Sequence, residues 1–309
     1  MSRMAVTGAL GFSGRHIAAR LIGLGHEVLN LTNHPDRPHT LGRPLAVAPL
    51  AFDDPNGLAA SLRGVDTLFN TYWVRYAHGG ADHQGAALNS TILFNAAANA
   101  GVRRIVHVSI ANADAASPLL YYRGKAHVEK ALALAGPSYA ILRPAMLFGD
   151  EPILVNSIAW LLRRFPVFAI AEDGSYGIQP THVEDLADLA VARGAASESS
   201  AEDAAGPEKF TFDEFVGLIR AAVSSRALIV HVPSSWVLLA AKLLHPLVRD
   251  VLITREEIEG LTAGLLVSRQ PALGHRRFTE WVADAGSWLG RRYLSEVGRH
   301  FDRPLAHRD

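Results

Sequence analysis

The sequence predicts an α/β protein with a doubly wound, mostly parallel sheet of about seven strands and a smaller, mainly helical C-terminal lobe. Short apolar runs alternate with amphipathic helical patterns from Met4 to about Val191, and this alternation is typical of parallel sheets. Three glycines also separate the first strand from the first helix. We expect residues 1–150, with later elements around 177–195, to form the sheet domain. Residues 151–309 form the predicted substrate lobe.

Composition narrows the class of protein. The 309 residues are 49% hydrophobic, and 30 basic residues balance 30 acidic ones, so nothing favours a nucleic-acid partner. The absence of cysteine excludes thiol chemistry and fits a reducing cytoplasm. Lys242, His245 and Pro246 interrupt the most apolar late stretch, so we expect no stable membrane insertion. We expect a small-molecule substrate and leave a homodimer open.

The first strand and the glycines after it predict a phosphate-binding loop. Gly8 permits a tight turn, Gly11 lets the backbone approach a pyrophosphate, and Gly14 lets the helix pack closely on the sheet. A helix starting near Phe12 directs its positive dipole end at the phosphates. Leu10 lies in the same loop. A plain glycine-rich turn is the alternative, but the strand–turn–helix context favours dinucleotide binding.

The end of the second strand, predicted over His26 to Thr32, bears on the choice of dinucleotide. A carboxylate there binds the ribose 2′-hydroxyl of NAD, whereas basic residues favour NADP. This chain has Asn33 followed by Arg37 and, further on, Arg43. We therefore favour NADP(H). Solvated loop arginines are the alternative.

The residues that predict acid–base chemistry follow the fifth strand, Arg104 to Ser109. Tyr121 and Lys125 are four residues apart on a predicted helix, so both side chains can reach one cleft. A phenol with a pKa of about 10 is a poor acid–base group at neutral pH, and a nearby ammonium stabilises its phenolate. Ser109 is a candidate hydrogen-bond donor to a substrate carbonyl. A buried serine bonded to backbone is its alternative.

These motifs resemble those of the extended or atypical short-chain dehydrogenase/reductases, the group of NAD-dependent epimerases and dehydratases. The resemblance runs from Met4 to about Val191. It is carried by the glycine loop, Tyr-x-x-x-Lys and the stretches Gly101–Ser109, Ala140–Gly149 and Gln179–Ala187. The nearest branches include nitrogen-metabolite sensors and a respiratory complex I accessory subunit, which bind dinucleotide with little or no turnover.

The resemblance implies a Rossmann fold, an NAD(P)(H) cofactor and roles for individual residues. Tyr121 becomes the general acid–base, and Lys125 becomes its electrostatic partner and a ligand of the nicotinamide ribose. Asp53 or its neighbour contacts the adenine, although Asp54 or Asn56 could instead cap the next helix. The residues expected to lie along the cofactor are Asn70, Thr71, Tyr72 and Pro144. Tyr72 could also be a core residue.

One departure from the family pattern leaves two functions open. The family carries two small polar residues after the fifth strand, the second often the catalytic Ser or Thr, whereas this chain has Ser109 followed by Ile110. The hydrogen bond to the substrate carbonyl would then have to come from Ser109 or Asn112. The first hypothesis is an NAD(P)(H)-dependent oxidoreductase acting on a carbonyl, alcohol or sugar-like substrate. The alternative is a dinucleotide-binding sensor or scaffold without turnover.

The remaining segments give structural expectations. We predict a third strand over Leu45 to Phe52, a flexible loop over Arg75 to Gln84 and a surface loop over Ser197 to Glu208. Thr211 and Thr254 each precede a glutamate by three residues, which is the spacing of a helix capping box. Apolar helix positions predict core locations for three tryptophans, Trp236, Trp281 and Trp288.

Overall fold

The computed structural model describes residues 1–35, 41–42, 45–295 and 298. Its strands are β1 (Arg3–Thr7), β2 (Glu27–Leu31), β3 (Ala46–Ala48), β4 (Thr67–Asn70), β5 (Arg104–Val108), β6 (Ser138–Leu142), β7 (Met146–Phe148), β8 (Val167–Ala171), β9 (Gly177–Ile178), β10 (Pro180–His182), β11 (Ser200–Glu202), β12 (Phe210–Thr211) and β13 (Leu228–Val232). Its helices are α1 (Phe12–Gly23), α2 (Pro55–Ser61), α3 (His83–Asn99), α4 (Leu120–Leu134), α5 (Ile153–Arg164), α6 (Val183–Gly194), α7 (Phe212–Ala222), α8 (Ser234–Val248), α9 (Arg255–Thr262) and α10 (Phe278–Ala285).

The main sheet is the framework of the first of two compact units, which comprises Met1–Pro144 and Val183–Ala204. Within the described residues it has seven strands in the order β11-β6-β5-β4-β1-β2-β3, all parallel. This confirms the predicted α/β fold with a doubly wound sheet. The strand order reverses beside β1, and ligands bind at the carboxyl ends of strands at such a switch point.

Two features hold the helices of this unit to the sheet. Apolar side chains from the strands and from α2, α3 and α4 form one buried cluster, which includes Leu29, Leu68, Phe94 and Val128. On α6, Gly194 lets the chain approach Phe69 of β4, because a Cβ there would lie 2.6 Å from the ring. These contacts hold the helices against the faces of the sheet.

The second unit comprises Ala145–His182 and the described chain from Ala205 onward. Small strand pairs (β7 with β10, β8 with β13, and β9 with β12) lie beside helices around an aromatic core. Phe215 and Phe278 stack in this core with their ring centroids 4.6 Å apart. The chain leaves the first unit after Pro144 and returns to it over Val183–Ala204. The sequence predicts these boundaries near residue 150 and around 177–195.

Two segments differ from the predicted secondary structure. The predicted strand over Leu45 to Phe52 is only Ala46–Ala48, because the Leu50 amide donates to Asn33 Oδ1 (3.1 Å) and leaves the ladder. The predicted surface loop over Ser197 to Glu208 contains β11, which pairs with β6 at the sheet edge. Its polar composition concealed the strand, and Arg193 holds it by an ion pair with Glu202.

The sequence predicts two helix starts correctly, but it does not predict the exposure of two tryptophans. Thr211 with Glu214 and Thr254 with Glu257 form the predicted capping boxes. Trp281 packs against the aromatic core as expected. The core prediction is wrong for Trp236 and Trp288, which are 63% and 43% exposed. Trp236 lies on α8, none of whose residues is buried, and Trp288 lies in a turn after the end of α10.

Within the described residues, no helix is both long and apolar enough to cross a membrane.

Candidate dinucleotide site

The glycine loop has a backbone that only glycine permits. Gly8 has a φ of +60°, and its amide donates to Leu31 O of β2 (2.9 Å). A Cβ on Gly14 would lie 2.1 Å from Gly8 O, and one on Gly11 would lie 3.0 Å from the same oxygen. The loop therefore packs tightly on itself and carries no side chain at the positions where a phosphate would approach. This cradle fits a dinucleotide pyrophosphate.

The helix that follows the loop favours an anion at its start. Gly11 is the N-cap of α1 and supplies no side-chain cap, and no acidic residue lies in the first turn. Arg15, in that turn, lies over the ring of Phe12 with Cζ 5.8 Å from the centroid. The helix dipole and the Arg15 guanidinium would both stabilise an anion bound at the start of α1. Leu10 and Phe12 are half-buried beside the glycines.

An open groove of about 550 Å³ lies where an adenosine would be held. It runs from the end of β2 across the segment after β3 to the exposed face of α3. Its lining residues are Asn33, Leu50, Ala51, Phe52, Asp53, Leu88, Asn89 and Ile92. Asn33 and Asp53 are exposed there, whereas Asp54 caps α2 by accepting from the Gly57 amide (2.9 Å). Apolar walls with a few polar groups are typical of a nucleoside site.

The end of β4 is organised by a buried hydrogen-bond network. Asn70 is fully buried, and its Oδ1 accepts from Thr7 Oγ1 and the Tyr72 amide, both at 3.1 Å. Its Nδ2 donates to His107 Nδ1 at 3.1 Å. Burial lowers the pKa of His107 well below its usual value, so the ring is neutral. The Asn70 side chain is therefore bonded within the protein, and its expected role at the cofactor stays a prediction.

The neighbouring candidates are placed by this network. Thr71 Oγ1 donates to Thr7 O (2.6 Å), which joins the ends of β4 and β1. The Tyr72 hydroxyl accepts from Asn89 Nδ2 (3.0 Å), and its ring packs on Phe52 at the groove. Pro144 is buried and its carbonyl accepts from the Ala111 amide (2.9 Å). Thr71 and Tyr72 thus remain at the predicted edge of the sheet.

Lys125 is buried under an aromatic side chain. Its Nζ donates to Val108 O (2.8 Å) and lies 4.5 Å from the centre of the Trp73 ring. Burial lowers the pKa of Lys125 to about 7, although Glu129 opposes the shift. The ammonium is thereby used inside the protein, which differs from the predicted contact with the nicotinamide ribose. Gly124 makes this possible, since a Cβ there would lie 3.0 Å from the indole.

Tyr121 is half-buried and shares Trp73 with Lys125. Its ring meets the indole edge-on at a centroid distance of 5.8 Å and meets the His83 ring at 5.4 Å. His83 stacks on Trp73, also at 5.8 Å. The motif Tyr-x-x-x-Lys therefore lies at the start of α4 as expected. Trp73, His83 and Tyr121 form an aromatic cluster there.

Ser109 is bound to a carboxylate. Its Oγ donates to Glu129 Oε1 (2.6 Å), and Arg143 holds the same carboxylate through two bonds of 2.9 and 2.5 Å. Ser109 is 4% exposed. The Ser109 hydrogen thus binds a charged acceptor within the protein. Its expected role as donor to a substrate carbonyl stays a prediction. Ile110 is also buried.

Two further expectations concern loops. The predicted loop over Arg75 to Gln84 ends earlier, because Asp82 caps α3 by accepting from the Gly85 amide (2.7 Å) and His83 begins the helix. Arg37 and Arg43, expected near the ribose, lie outside the described residues.

Sequence reasoning missed two groups: His107 and the Glu129–Arg143 pair. Glu129 lies four residues after Lys125, so its position on the same helix face was a usable signal. His107 had none, because a histidine within a strand is compatible with an ordinary core.

Comparison with known proteins agrees with this geometry. Residues 8–158 match the protein-family model described as NAD(P)H-binding. A mitochondrial protein of Arabidopsis thaliana, NADH dehydrogenase (ubiquinone) 1 alpha subcomplex subunit 9, is 25% identical over 85% of this chain and 70% of its own length. Its namesake in Dictyostelium discoideum is 27% identical over 69% of this chain and 62% of its own length. The chain thus spans about two thirds of these relatives.

Solved structures share the fold. The Escherichia coli NADPH-dependent quinone oxidoreductase complexed with NADPH has a TM-score of 0.74 at 22% identity, covering 91% of this chain and 99% of that one. The Citrobacter sp. triphenylmethane reductase complexed with NADP(H) has a TM-score of 0.71 at 19% identity, covering 93% and 100%. The Thermotoga maritima UDP-glucose 4-epimerase gives 0.65 at 18%, covering 75% and 85%.

The structure therefore has a Rossmann-like fold, and residues 8–158 resemble an NAD(P)H-binding family.

Gly11→Asp tests the glycine loop. Aspartate is a favoured N-cap, so α1 should form, but its carboxylate would repel an approaching pyrophosphate. We expect the Kd for NADPH, measured by calorimetry, to rise at least about 100-fold. Gly23→Asp is the control, because it lies in open space at the other end of α1. Unchanged affinity in Gly11→Asp would refute this site.

Lys125→Met tests the buried amine through pH. Unfolded Lys125 is protonated up to its usual pKa of 10.5, whereas the folded group loses its proton near 7. The unfolded state therefore binds more protons between these values, and stability rises with pH. We therefore expect the free energy of unfolding of wild type, measured with urea, to rise relative to that of Lys125→Met across this window. The rise should be up to about 1.4 kcal/mol per pH unit. Exposed Lys130→Met is the control, and a Lys125→Met profile parallel to wild type contradicts the burial.

Proposed function

We propose that this protein binds NAD(P)H for a sensing or scaffolding role that does not use a serine–tyrosine–lysine proton relay. One observation carries the proposal: Ser109 Oγ is bound to Glu129, and Lys125 Nζ is bound to Val108 O beneath Trp73. Two of the three relay groups are therefore committed to the protein interior. The cradle of Gly8, Gly11 and Gly14 meanwhile keeps the form needed for a pyrophosphate.

The energetic balance supports this proposal. Turning Ser109 toward a substrate would break a short bond to a carboxylate that is shared with Arg143. A hydrogen bond to a charged group contributes about 1.5–3 kcal/mol. Turning Lys125 outward would leave Val108 O without that donor and remove a cation from the indole face. The named complex I subunits among the relatives are compatible with a binding role, and the cysteine-free sequence fits a reducing compartment such as the cytoplasm.

A second candidate is an NAD(P)H-dependent oxidoreductase acting on a carbonyl, alcohol or sugar-like substrate. It is favoured by Tyr121, which is half-buried one helical turn from Lys125. The dinucleotide would supply hydride, and the Tyr121 phenol would give its proton to the substrate oxygen. With a pKa near 7, Lys125 would be partly neutral at physiological pH and would stabilise the phenolate less than a full ammonium.

Tyr121→Phe distinguishes the two candidates, because it removes only the phenolic oxygen. The proposal predicts that the NADPH Kd stays within about twofold and that any NADPH consumption is unchanged. The assay is NADPH fluorescence titration together with depletion over a panel of carbonyls and sugar nucleotides. Tyr122→Phe, at the buried neighbour, is the control. Wild-type turnover that falls by about 10²–10⁴ only in Tyr121→Phe would replace the proposal by the oxidoreductase.

The choice of dinucleotide is part of the proposal, and NADP(H) is favoured. Asn33 lies at the end of β2, where its Oδ1 accepts from the Leu50 amide, so the position that favours NAD when acidic is neutral here. Arg37 and Arg43, which follow Asn33 in the sequence, would add positive charge that favours a 2′-phosphate.

Asn33→Asp tests that preference. The new carboxylate would repel the 2′-phosphate of NADPH but accept a hydrogen bond from the 2′-hydroxyl of NADH. We expect wild type to bind NADPH more tightly than NADH in a titration. Asn33→Asp should lose at least about tenfold in affinity for NADPH, and its affinity for NADH should be unchanged. Asn89→Asp, on the far wall of the groove, is the control. Wild type that prefers NADH would contradict the NADP(H) choice.

A further inference from the structure

Helix α8 of the second unit exposes an apolar stripe. None of its residues is buried, and Trp236, Leu243 and Leu247 are 63%, 72% and 65% exposed. Leu239 (49%) and exposed Ala240 complete the stripe. A large exposed apolar patch on a protein often marks a surface that binds another molecule.

The stripe has the spacing of a two-helix seam. Trp236, Ala240, Leu243 and Leu247 follow one another at intervals of four, three and four residues. This is the repeat by which two helices interlock along one line. An antiparallel two-fold pairing centred between Ala241 and Lys242 would set Trp236 against Leu247 and Ala240 against Leu243. Both large side chains then meet an apolar partner.

The charges at the two ends of α8 suit the same pairing. At the start, Glu172 Oε1 accepts from the Ser234 amide (2.9 Å) and hydroxyl (2.8 Å), and exposed Asp173 lies beside it. At the other end lies the exposed C-cap residue Arg249, and Asp250, which follows it, is buried. The segment Ser234–Val248 itself contains no acidic residue. One end is thus anionic and the other cationic.

We propose that α8 is the contact surface for a second copy of this chain, paired antiparallel about a two-fold axis. The register that matches the apolar residues also sets Ser234, with its bound Glu172, opposite Arg249 of the other copy. Because the contact is isologous, this ion pair forms twice. The opposed helix dipoles also attract each other. An anionic membrane fits less well, since it would meet Glu172 and Asp173 at one end of the stripe.

Light scattering over a concentration series tests the pairing. A single-helix seam is a small interface, so we expect full-length wild type to change from 33.3 kDa to twice that mass with a Kd of about 1–100 µM. Leu243→Glu should weaken the dimer at least about 100-fold, since it sets a carboxylate in the seam. Leu134→Glu is the control, because Leu134 is 77% exposed on α4 of the first unit.

Charge reversal tests the orientation. Arg249→Glu should weaken the dimer about tenfold, and adding Glu172→Lys should restore it. Circular dichroism confirms that each variant is folded. A wild type that remains monomeric at about 100 µM overturns the proposal, as does a dimer that survives Leu243→Glu or a double variant that is not restored. Monomeric protein that instead sediments with anionic vesicles, and loses this with Leu243→Glu, overturns it in favour of a lipid surface.

Discussion

The Glu129 carboxylate joins α4 to the residues that follow β5 and β6 through hydrogen bonds. It lies on α4 and accepts from Ser109, just after β5, and from Arg143, just after β6. Glu129 and Arg143 are largely buried, and removing one partner of a buried ion pair costs about 3–5 kcal/mol. The second half of α4 is thereby bonded to the residues that follow two strands. The positions of Tyr121 and Lys125 depend on that attachment.

This attachment explains why a chain with a dinucleotide cradle has a displaced relay. With α4 held in place, Lys125 Nζ reaches Val108 O, and Gly124 leaves room for Trp73 to cover it. The indole attracts the ammonium, and burial drives its pKa down. The glycine loop has no part in this network. The glycine loop and the groups around Lys125 are therefore held by separate contacts in this molecule.

The sequence was sufficient for the parts of the fold that depend on local rules. Strand–helix alternation, Gly8 and the two capping boxes predict their elements because each depends on neighbouring residues. The sequence was insufficient where distant contacts decide. The polar segment Ser200–Glu202 becomes a strand because β6 and Arg193 accept it. The exposure of Trp236 could not be predicted, because the sequence of α8 does not show which of its faces the rest of the chain covers.

The candidate site divides in the same way. Gly8, Gly11 and Gly14 could be assigned from spacing, since the chemistry lies in the backbone itself. Ser109 and Asn70 could not, because their roles depend on Glu129 and His107, which come from other elements. A hydroxyl or amide at a strand end is equally suited to a ligand or to a neighbouring side chain, and only the three-dimensional partner decides.

A crystal structure of the protein soaked with NADPH tests the central claim most directly. We predict the pyrophosphate on the glycine loop, Ser109 Oγ still bonded to Glu129, and Lys125 Nζ still bonded to Val108 O beneath Trp73. The nicotinamide would then face no serine hydroxyl. Trp73 displaced, with Lys125 on the nicotinamide ribose and Ser109 turned toward the ring, would contradict the account and restore the catalytic relay.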